Sequence, residues 1–583
     1  MDADLTLATE SDAPRAAARP AVLTVEWAAY AALGALALAV RLAELGRWPL
    51  LEEGLSTALA ALRAVRGEAW RPEAYVPLLY GVERALFWLV GPSDAAARLL
   101  PALSGAALVW LPYWGRGALG RVGALVAAAL LAVAPAWVFF SRTADWPILA
   151  ALCSGVLLAA LWRYAETGDP RAARPGAVAL GLGLTAGPGI YTTLLGLGAL
   201  ALVARARGRR EGEGGLRAFL GPLAERTNLL LFGGAFLLVG SALTLHPDGV
   251  AESVEWAGRW VARLHPASAA VDGWYLPGTL LVYESLTVAL ALAGAVWGLL
   301  RRSALDVGLA AWALVALLLG SLLGHREPVW LLDVLLPLVL LAGRGAQRGW
   351  EALRPGFRVG DGVALYGALL VAGFGLLALA RYVRVADDTW QAYALLTAGA
   401  LVVAWAAYWL WAGEQGLRVG VLVALVLLAG VTVRASVALA YQTGRDPREP
   451  IVLSPTSVQV RDLEALVAST AAHQATDRRA LTVEYAPSLD GWLGWVLRDY
   501  PLARPAPGAR VGGPESLVLI RPDEPEAGWP AGYLGQALRL RERWDWGMAG
   551  VPWHERLRWF LYRDPVGTAG AETIRFWVRP PAR

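Results

Sequence analysis

Residues 24–53 read TVEWAAYAALGALALAVRLAELGRWPLLEE, an apolar run of membrane-spanning length followed by two adjacent acids, Glu52 and Glu53. A bilayer core needs roughly 17–25 mostly apolar residues per helix, and run after run of that length continues to about residue 441. The runs fall near 24–45, 97–114, 122–140, 146–163, 176–190, 191–206, 228–245, 276–299, 305–323, 329–343, 361–380, 391–411 and 419–441, about thirteen in all. The fifth and sixth meet at Gly187-Pro188-Gly189, where one broken helix is an alternative. Carboxylates at a lipid boundary are costly, so the Glu52–Glu53 pair marks a site more readily than a requirement of the fold.

Composition agrees. The chain has 583 residues, 57% of them hydrophobic and only 17% charged, with a mean hydropathy of +0.46. Globular domains carry about 25% charged residues, so the expected class is an α-helical polytopic membrane protein. The pI near 9.2 does not imply nucleic acid, because the arginines sit in short loops between apolar runs. There is no lysine, which reads as base composition without functional weight. The single cysteine, Cys153, lies within an apolar run and excludes an intrachain disulfide. Residues 1–23 are polar and mixed in charge, an expected cytoplasmic tail without the basic start of a signal peptide.

The loops divide by charge. One set holds Arg116 and Arg121, Arg163 to Arg174, Arg205 to Arg217, Arg301 and Arg302, Arg344 to Arg358, and Arg418. The other set, 141–145, 246–275, 324–330 and 381–390, is poorer in Arg and richer in Asp, His and Trp. By the positive-inside rule the first set is cytoplasmic. The N-terminus is then inside, and an odd number of spans puts everything after Tyr441 outside. The long first outer loop, 46–96, contains an amphipathic helix from Glu52 to Arg66, with an apolar stripe at Leu55, Leu59, Leu62 and Val65. Its acids lie at the start, Arg63 and Arg66 at the end, and Gly67 stops it. Such a helix beside a span is expected to lie flat on the bilayer. From 446 to 583 the sequence is that of a soluble domain. Strands are expected at Ile451–Leu453, Ala480–Tyr485 and Ser516–Ile520, and an amphipathic helix at Val460–His473, which together suggest a small α/β domain.

Four outer features carry candidate chemistry. Glu52 and Glu53 supply a general base or a metal ligand, against the plainer reading of acids at a helix N-terminus. Asp145, in the short loop Ser141-Arg142-Thr143-Ala144-Asp145, shares their side of the membrane; as a plain helix cap it would do no chemistry. Tyr283-Glu284 lies inside a span, where a Glu must face the bundle interior, either in a substrate groove or in a structural pair with an Arg. The turn Gly324-His325-Arg326-Glu327-Pro328-Val329-Trp330 joins His and Arg beside a belt Trp, and the planar donors of Arg suit a phosphate. The plainer alternative is a snorkelling Arg. Acids for an acceptor and a cation for a departing lipid phosphate are the needs of a transferase acting on lipid-linked sugars.

The order of several segments adds a resemblance. Arg41 through Glu53, Pro77-Leu78-Leu79-Tyr80, Gly91, Arg98 through Leu103 and Ser141 through Asp145 resemble the pattern of the GT-C membrane glycosyltransferases, such as dolichyl-phosphate-mannose–protein mannosyltransferases and their bacterial relatives. Tyr283-Glu284, Arg326 through Trp330, Asp446–Pro455, Trp495–Tyr500 and Trp559–Arg563 look like an archaeal and bacterial subgroup labelled flippase-activity-associated. The likeness runs over nearly the whole chain through loose motifs in a fixed order. It implies an inverting sugar transfer from a polyprenyl-phosphate donor to a glycan, lipid or protein acceptor on the outer face. By position, Glu52 stands where the family usually has the Asp of an Asp-Glu pair, Glu53 matches its Glu, and Asp145 matches the second-loop acid. Arg326 stands where the subgroup has Lys.

The expected catalytic residues are therefore Glu52, Glu53 and Asp145. The donor phosphate is expected at Arg326, His325 and Arg142, and the polar groove at Tyr283, Glu284, Tyr80 and Trp330. A candidate divalent metal, Mg²⁺ or Mn²⁺, would sit at Glu52 and Asp145. Two departures from the pattern, Glu52 for Asp and the loss of a His near Tyr75-Val76, leave altered substrate or lost catalysis open. The rival reading is a translocase or non-catalytic accessory for lipid-linked sugars, which needs the cation and the groove but not the acids.

Overall fold

The computed structural model describes residues 24–68, 75–206, 221–265, 273–323, 326–354, 358–385, 387–452, 456–474, 480–506, 518–522, 532–544, 551–564, 566 and 570–579. The tail expected at 1–23 lies outside them. All thirteen apolar runs form helices. Among the described residues nine are long and apolar enough to cross a membrane, and eleven if two bent pairs each count as one span. The other two, Arg174–Ala186 and Arg226–Gly240, are 13 and 15 residues long, shorter than the usual crossing helix. The break at Gly187, which has φ +138°, separates Arg174–Ala186 from Gly189–Ala206. The helices Val359–Val385 and Asp388–Ala412 keep large apolar side chains such as Leu370, Leu377, Leu395 and Leu410 on the outside, as a lipid-facing surface does.

The two bent pairs explain several buried polar groups. Arg121–Val133 and Pro135–Ser141 meet at 52° beside Pro135, and Tyr275–Tyr283 and Ser285–Leu300 meet at 101° at Glu284. A break frees carbonyls on one side and N–H groups on the other. Arg41 donates to the carbonyls of Leu131 (2.7 Å) and Ala132 (3.0 Å), while Glu284 accepts from the N–H of Ala136 (2.9 Å) and the hydroxyl of Thr287 (3.0 Å). Glu284 is fully buried, without an Arg partner in this network, and it holds two helix breaks together.

Three helices follow one another from the N-terminus: Val25–Leu42 (α1), Glu52–Arg66 (α2) and Pro77–Val90 (α3). Two buried arginines grip the chain between α1 and α2 by its carbonyls. Arg98 donates to Leu45 (2.9 Å), Trp48 (2.8 Å) and Pro49 (2.6 Å), and Arg142 to Val40 (2.8 Å), Arg41 (3.0 Å) and Ala43 (2.8 Å). α2 forms as its charges and Gly67 (φ +72°) dictate, but its apolar stripe is not left open for a bilayer surface. Its stripe of Leu55, Leu59 and Leu62 is buried in a second core with Leu463, Val467, Leu493 and Trp495 of the C-terminal region. Protein covers the face that a lipid surface would otherwise cover, and burying three leucines contributes on the order of 5 kcal/mol. Arg63 pins the same helix to Asp490 at 2.8 Å.

The C-terminal region carries a mixed five-stranded sheet: Val483–Tyr485 (β1), Ala503–Pro505 (β2), Val518–Pro522 (β3), Leu534–Arg543 (β4) and Gly570–Val578 (β5). The order is β2-β1-β3-β5-β4, with the first three parallel and the last two antiparallel to their neighbours. The helix Gln459–Gln474 packs on it, within the α/β class expected. Ile451 and Val452 are a turn rather than a strand, and Leu453 lies outside the described residues. They belong to the strap Asp446–Val452, which links the last span to the sheet domain. Tyr283 donates its hydroxyl to buried Glu449, and Arg563 donates to the other oxygen of that carboxylate (2.9 Å). Three of the segments quoted for the family resemblance meet in this clamp.

Candidate active site

Where the N-terminus of α2 meets the loop before Pro147, the structure encloses a cavity of about 360 Å³. The approach is close: a Cβ at Gly54 would collide with the carbonyl oxygen of Ala144, so glycine is needed for α2 to reach that loop. This contact brings Glu53, from the first turn of α2, into the same cavity as Asp145. Arg263 and Glu327 complete the charged lining, and Tyr75, Trp146, Trp256, Ile451 and Val452 supply apolar walls.

Asp145 is 7% exposed and accepts one hydrogen bond, from the N–H of Trp146 at 2.8 Å. Burial pushes its pKa up to about 7; that N–H works against the shift and the nearby charge of Glu53 adds to it. Glu53 is open to the cavity yet enclosed by protein on its other sides, and burial raises its pKa as well. Among the described residues Arg263 is the cation that lines the cavity. It stands at the end of the helix Asp248–Arg263, pairs with Glu327 at 3.3 Å, and faces the ring of Trp146 at 5.9 Å.

The structure thus sorts the expected residues. Glu53 and Asp145 come together. Glu52, one position earlier on the helix and about 100° around it, points instead to the C-terminal domain, where it pairs with Arg541. Arg142 spends its donors on the end of α1 and stacks on Tyr441 at 4.9 Å, so it is a cap and not a phosphate ligand. Arg326 has φ +44° and does not line the cavity; its neighbour Glu327 does, and pairs with Arg263. His325 lies outside the described residues. Tyr283 belongs to the Glu449 clamp and Glu284 to the helix breaks, so neither faces a groove. Tyr80 packs its ring on Tyr75 and His246, each at 5.2 Å, one layer behind the cavity. Trp330 is buried in the bundle core, packed beside Gly320.

No group of three or more His, Cys, Asp or Glu stands ready for a metal among the described residues. Glu52, held by Arg541, is not placed to share a metal with Asp145. Arg263 escaped the sequence reading, and Tyr75 entered it only as the place of a lost His. The signal for Arg263 was present, since Trp256, Trp260 and Arg263 recur at helical spacing within a stretch read only as loop.

No protein-family model and no curated protein matches the sequence. Among solved structures, the chain is similar to ArnT from Cupriavidus metallidurans bound to undecaprenyl phosphate. The TM-score is 0.54 at 19% identity, over 85% of this chain and 93% of that one. The apo state of the same protein gives 0.54 at 18% identity, over 85% and 92%. The oligosaccharyltransferase of Archaeoglobus fulgidus is more distant, at 0.47 and 11% identity over 82% and 64%. A bundle of apolar helices, a small C-terminal sheet domain and the likeness to ArnT converge on one architecture: the chain has a GT-C-like fold.

Proposed function

We propose that the chain is a multi-pass membrane glycosyltransferase that moves a sugar from a polyprenyl-phosphate donor to an acceptor on the outer face. The observation that carries this reading is the cavity shared by Glu53, Asp145 and Arg263. Its fold-mate ArnT binds undecaprenyl phosphate, which supports the donor class. Thirteen crossings, with Arg174–Ala186 and Arg226–Gly240 each passing through once, keep the Arg-rich loops on one side and leave the two ends on opposite sides of the membrane. With the arginine asymmetry of the loops, the N-terminus is cytoplasmic and residues 446–583 are extracytoplasmic.

The chemistry follows from the groups present. An acceptor hydroxyl or amine attacks the anomeric carbon, the bond from that carbon to the phosphate oxygen breaks, and configuration inverts. The carboxylate pair takes the acceptor proton; a pKa of about 7 at Asp145 suits a base near neutral pH. The polyprenyl phosphate leaves as an anion, stabilised by Arg263, whose five donors allow it to hold Glu327 and a phosphate oxygen together. Ile451 and Val452 keep water from the reacting atoms. Glu53 and Asp145 also fit Mg²⁺ or Mn²⁺, since such ions take one or two carboxylates and fill the rest with water and phosphate. A bound ion would supply charge neutralisation at the phosphate.

The test uses the purified full chain with undecaprenyl phosphate and its sugar-loaded form. Glu53→Gln should bind the lipid as the wild type does but release no free polyprenyl phosphate. No release by the wild type would reject the transferase reading in favour of the accessory one, and unchanged release by Glu53→Gln would take the base away from Glu53.

A further inference from the structure

A second cleft, of about 430 Å³, opens between the end of the Glu414–Tyr441 helix and strand β4, and it shares no lining residue with the first cavity. Its volume is within the range of about 300–1,000 Å³ typical of ligand sites. Its composition is unlike the first. Two guanidinium groups, Arg445 and Arg448, face two carboxylates, Asp446 and Glu542. Arg448 donates to Asp446 at 2.6 Å, and Ser457 donates to Glu542 at 3.2 Å. The charges cancel within the cleft, which removes the field that would attract a free phosphate or a cation. Its apolar lining, Trp48, Pro447, Val458 and Trp544, is interrupted by these charged groups, which argues against a lipid tail.

Two indoles remain, Trp48 and Trp544. Trp544 is fixed: its N–H donates to the carbonyl of Val566 at 2.7 Å, and its ring stacks on Trp559 with centroids 6.1 Å apart. A fixed aromatic edge beside amide, carboxylate, guanidinium and hydroxyl groups offers both donors and acceptors together with a flat apolar surface. The ligand with matching chemistry is a pyranose, which has hydroxyls around its rim and C–H groups on its faces. The cleft is also close to the first cavity in the chain. Asp446, Pro447 and Arg448 line the cleft, Ile451 and Val452 line the cavity, and clamped Glu449 stands between.

We propose that this cleft binds neutral carbohydrate and holds the distal sugars of a glycan acceptor. The sugar-binding chemistry stands on the cleft alone, whereas the acceptor role rests on the transfer reading above. The experiment measures binding of cellotetraose, maltotetraose, mannotetraose and chitotetraose to the full chain in nanodiscs, which avoids sugar detergents, by saturation-transfer NMR. At least one should bind. Trp48→Ala and Gln459→Ala should each weaken it about tenfold or more, Trp48→Phe should keep most of it, and Glu53→Gln should leave it unchanged. Thermal unfolding of each variant identifies misfolded protein, and Gln459→Ala decides the matter if Trp48→Ala fails to fold. Binding of none of the four, or binding lost in Glu53→Gln and kept in both cleft variants, overturns the proposal. Sugar binding with these cleft effects, alongside no polyprenyl phosphate release by the wild type, would leave the cleft standing and reject the transfer reading alone.

Discussion

Asp145 and Glu449 are both buried carboxylates near the junction of the helix bundle and the sheet domain, yet their surroundings differ in kind. Glu449 is 1% exposed and receives a guanidinium on one oxygen and a phenol on the other. Asp145 is nearly as buried but has one backbone N–H, and its cation, Arg263, is engaged by Glu327. A carboxylate with its lone pairs satisfied is spent on structure; one left short is held in readiness for a proton. The strap Asp446–Val452 belongs to both regions, since the clamp at Glu449 sets where Ile451 and Val452 wall the cavity.

The contrast can be broken in several places. The largest effect should come from Asp145→Asn, which removes a base and should cut transfer by about 10²–10⁴-fold with little loss of stability. With wild type, transfer should rise with pH through about 7 and then level, as Asp145 loses its proton, and the variant should lack that limb. Glu449→Ala should do the reverse and destabilise by about 3–5 kcal/mol, because Arg563 is left buried without its counter-charge. Denaturation monitored by tryptophan fluorescence measures this, and a loss below about 1 kcal/mol would show that the clamp is dispensable. Arg263→Ala should weaken binding of undecaprenyl phosphate by about 1.5–3 kcal/mol, and Arg326→Ala by much less. The smallest effect should be that of Glu52→Gln, which removes a half-exposed ion pair with Arg541 worth about 0.2–1 kcal/mol and should leave transfer within a few-fold. A loss matching that of Glu53→Gln would return the base to Glu52.

Much of the architecture could be read from the chain, because a span announces itself by length and apolarity alone. The acids of α2 and its stop at Gly67 could be read for similar reasons. What could not be read depended on which surfaces meet. Glu52 and Glu53 differ by one helical step, and only the approach of Gly54 to Ala144 decides which one enters the cavity. The stripe of α2 is equally suited to lipid and to protein, and the sheet domain claimed it. Arg263 lies 118 residues beyond Asp145 in sequence, so nothing local joined them. Arg142 and Glu284, polar groups near or within spans, turned out to serve helix ends. Breaks at Pro135 and Glu284 create that demand, and no motif records it.

The arginines that hold the chain between α1 and α2 grip it by backbone carbonyls. Carbonyls are the same whatever side chain hangs beside them. The leader that carries Glu53 to its place can therefore change identity at Ala43, Glu44, Gly46 or Arg47 and still be delivered to the same point. The burden of constancy falls on Arg98 and Arg142, distant in sequence, where a lysine would offer a point charge in place of a planar fork and lose the shared grip on several carbonyls. A loop built this way is free to drift in sequence, while the residues that fix it look, by position alone, like parts of something else.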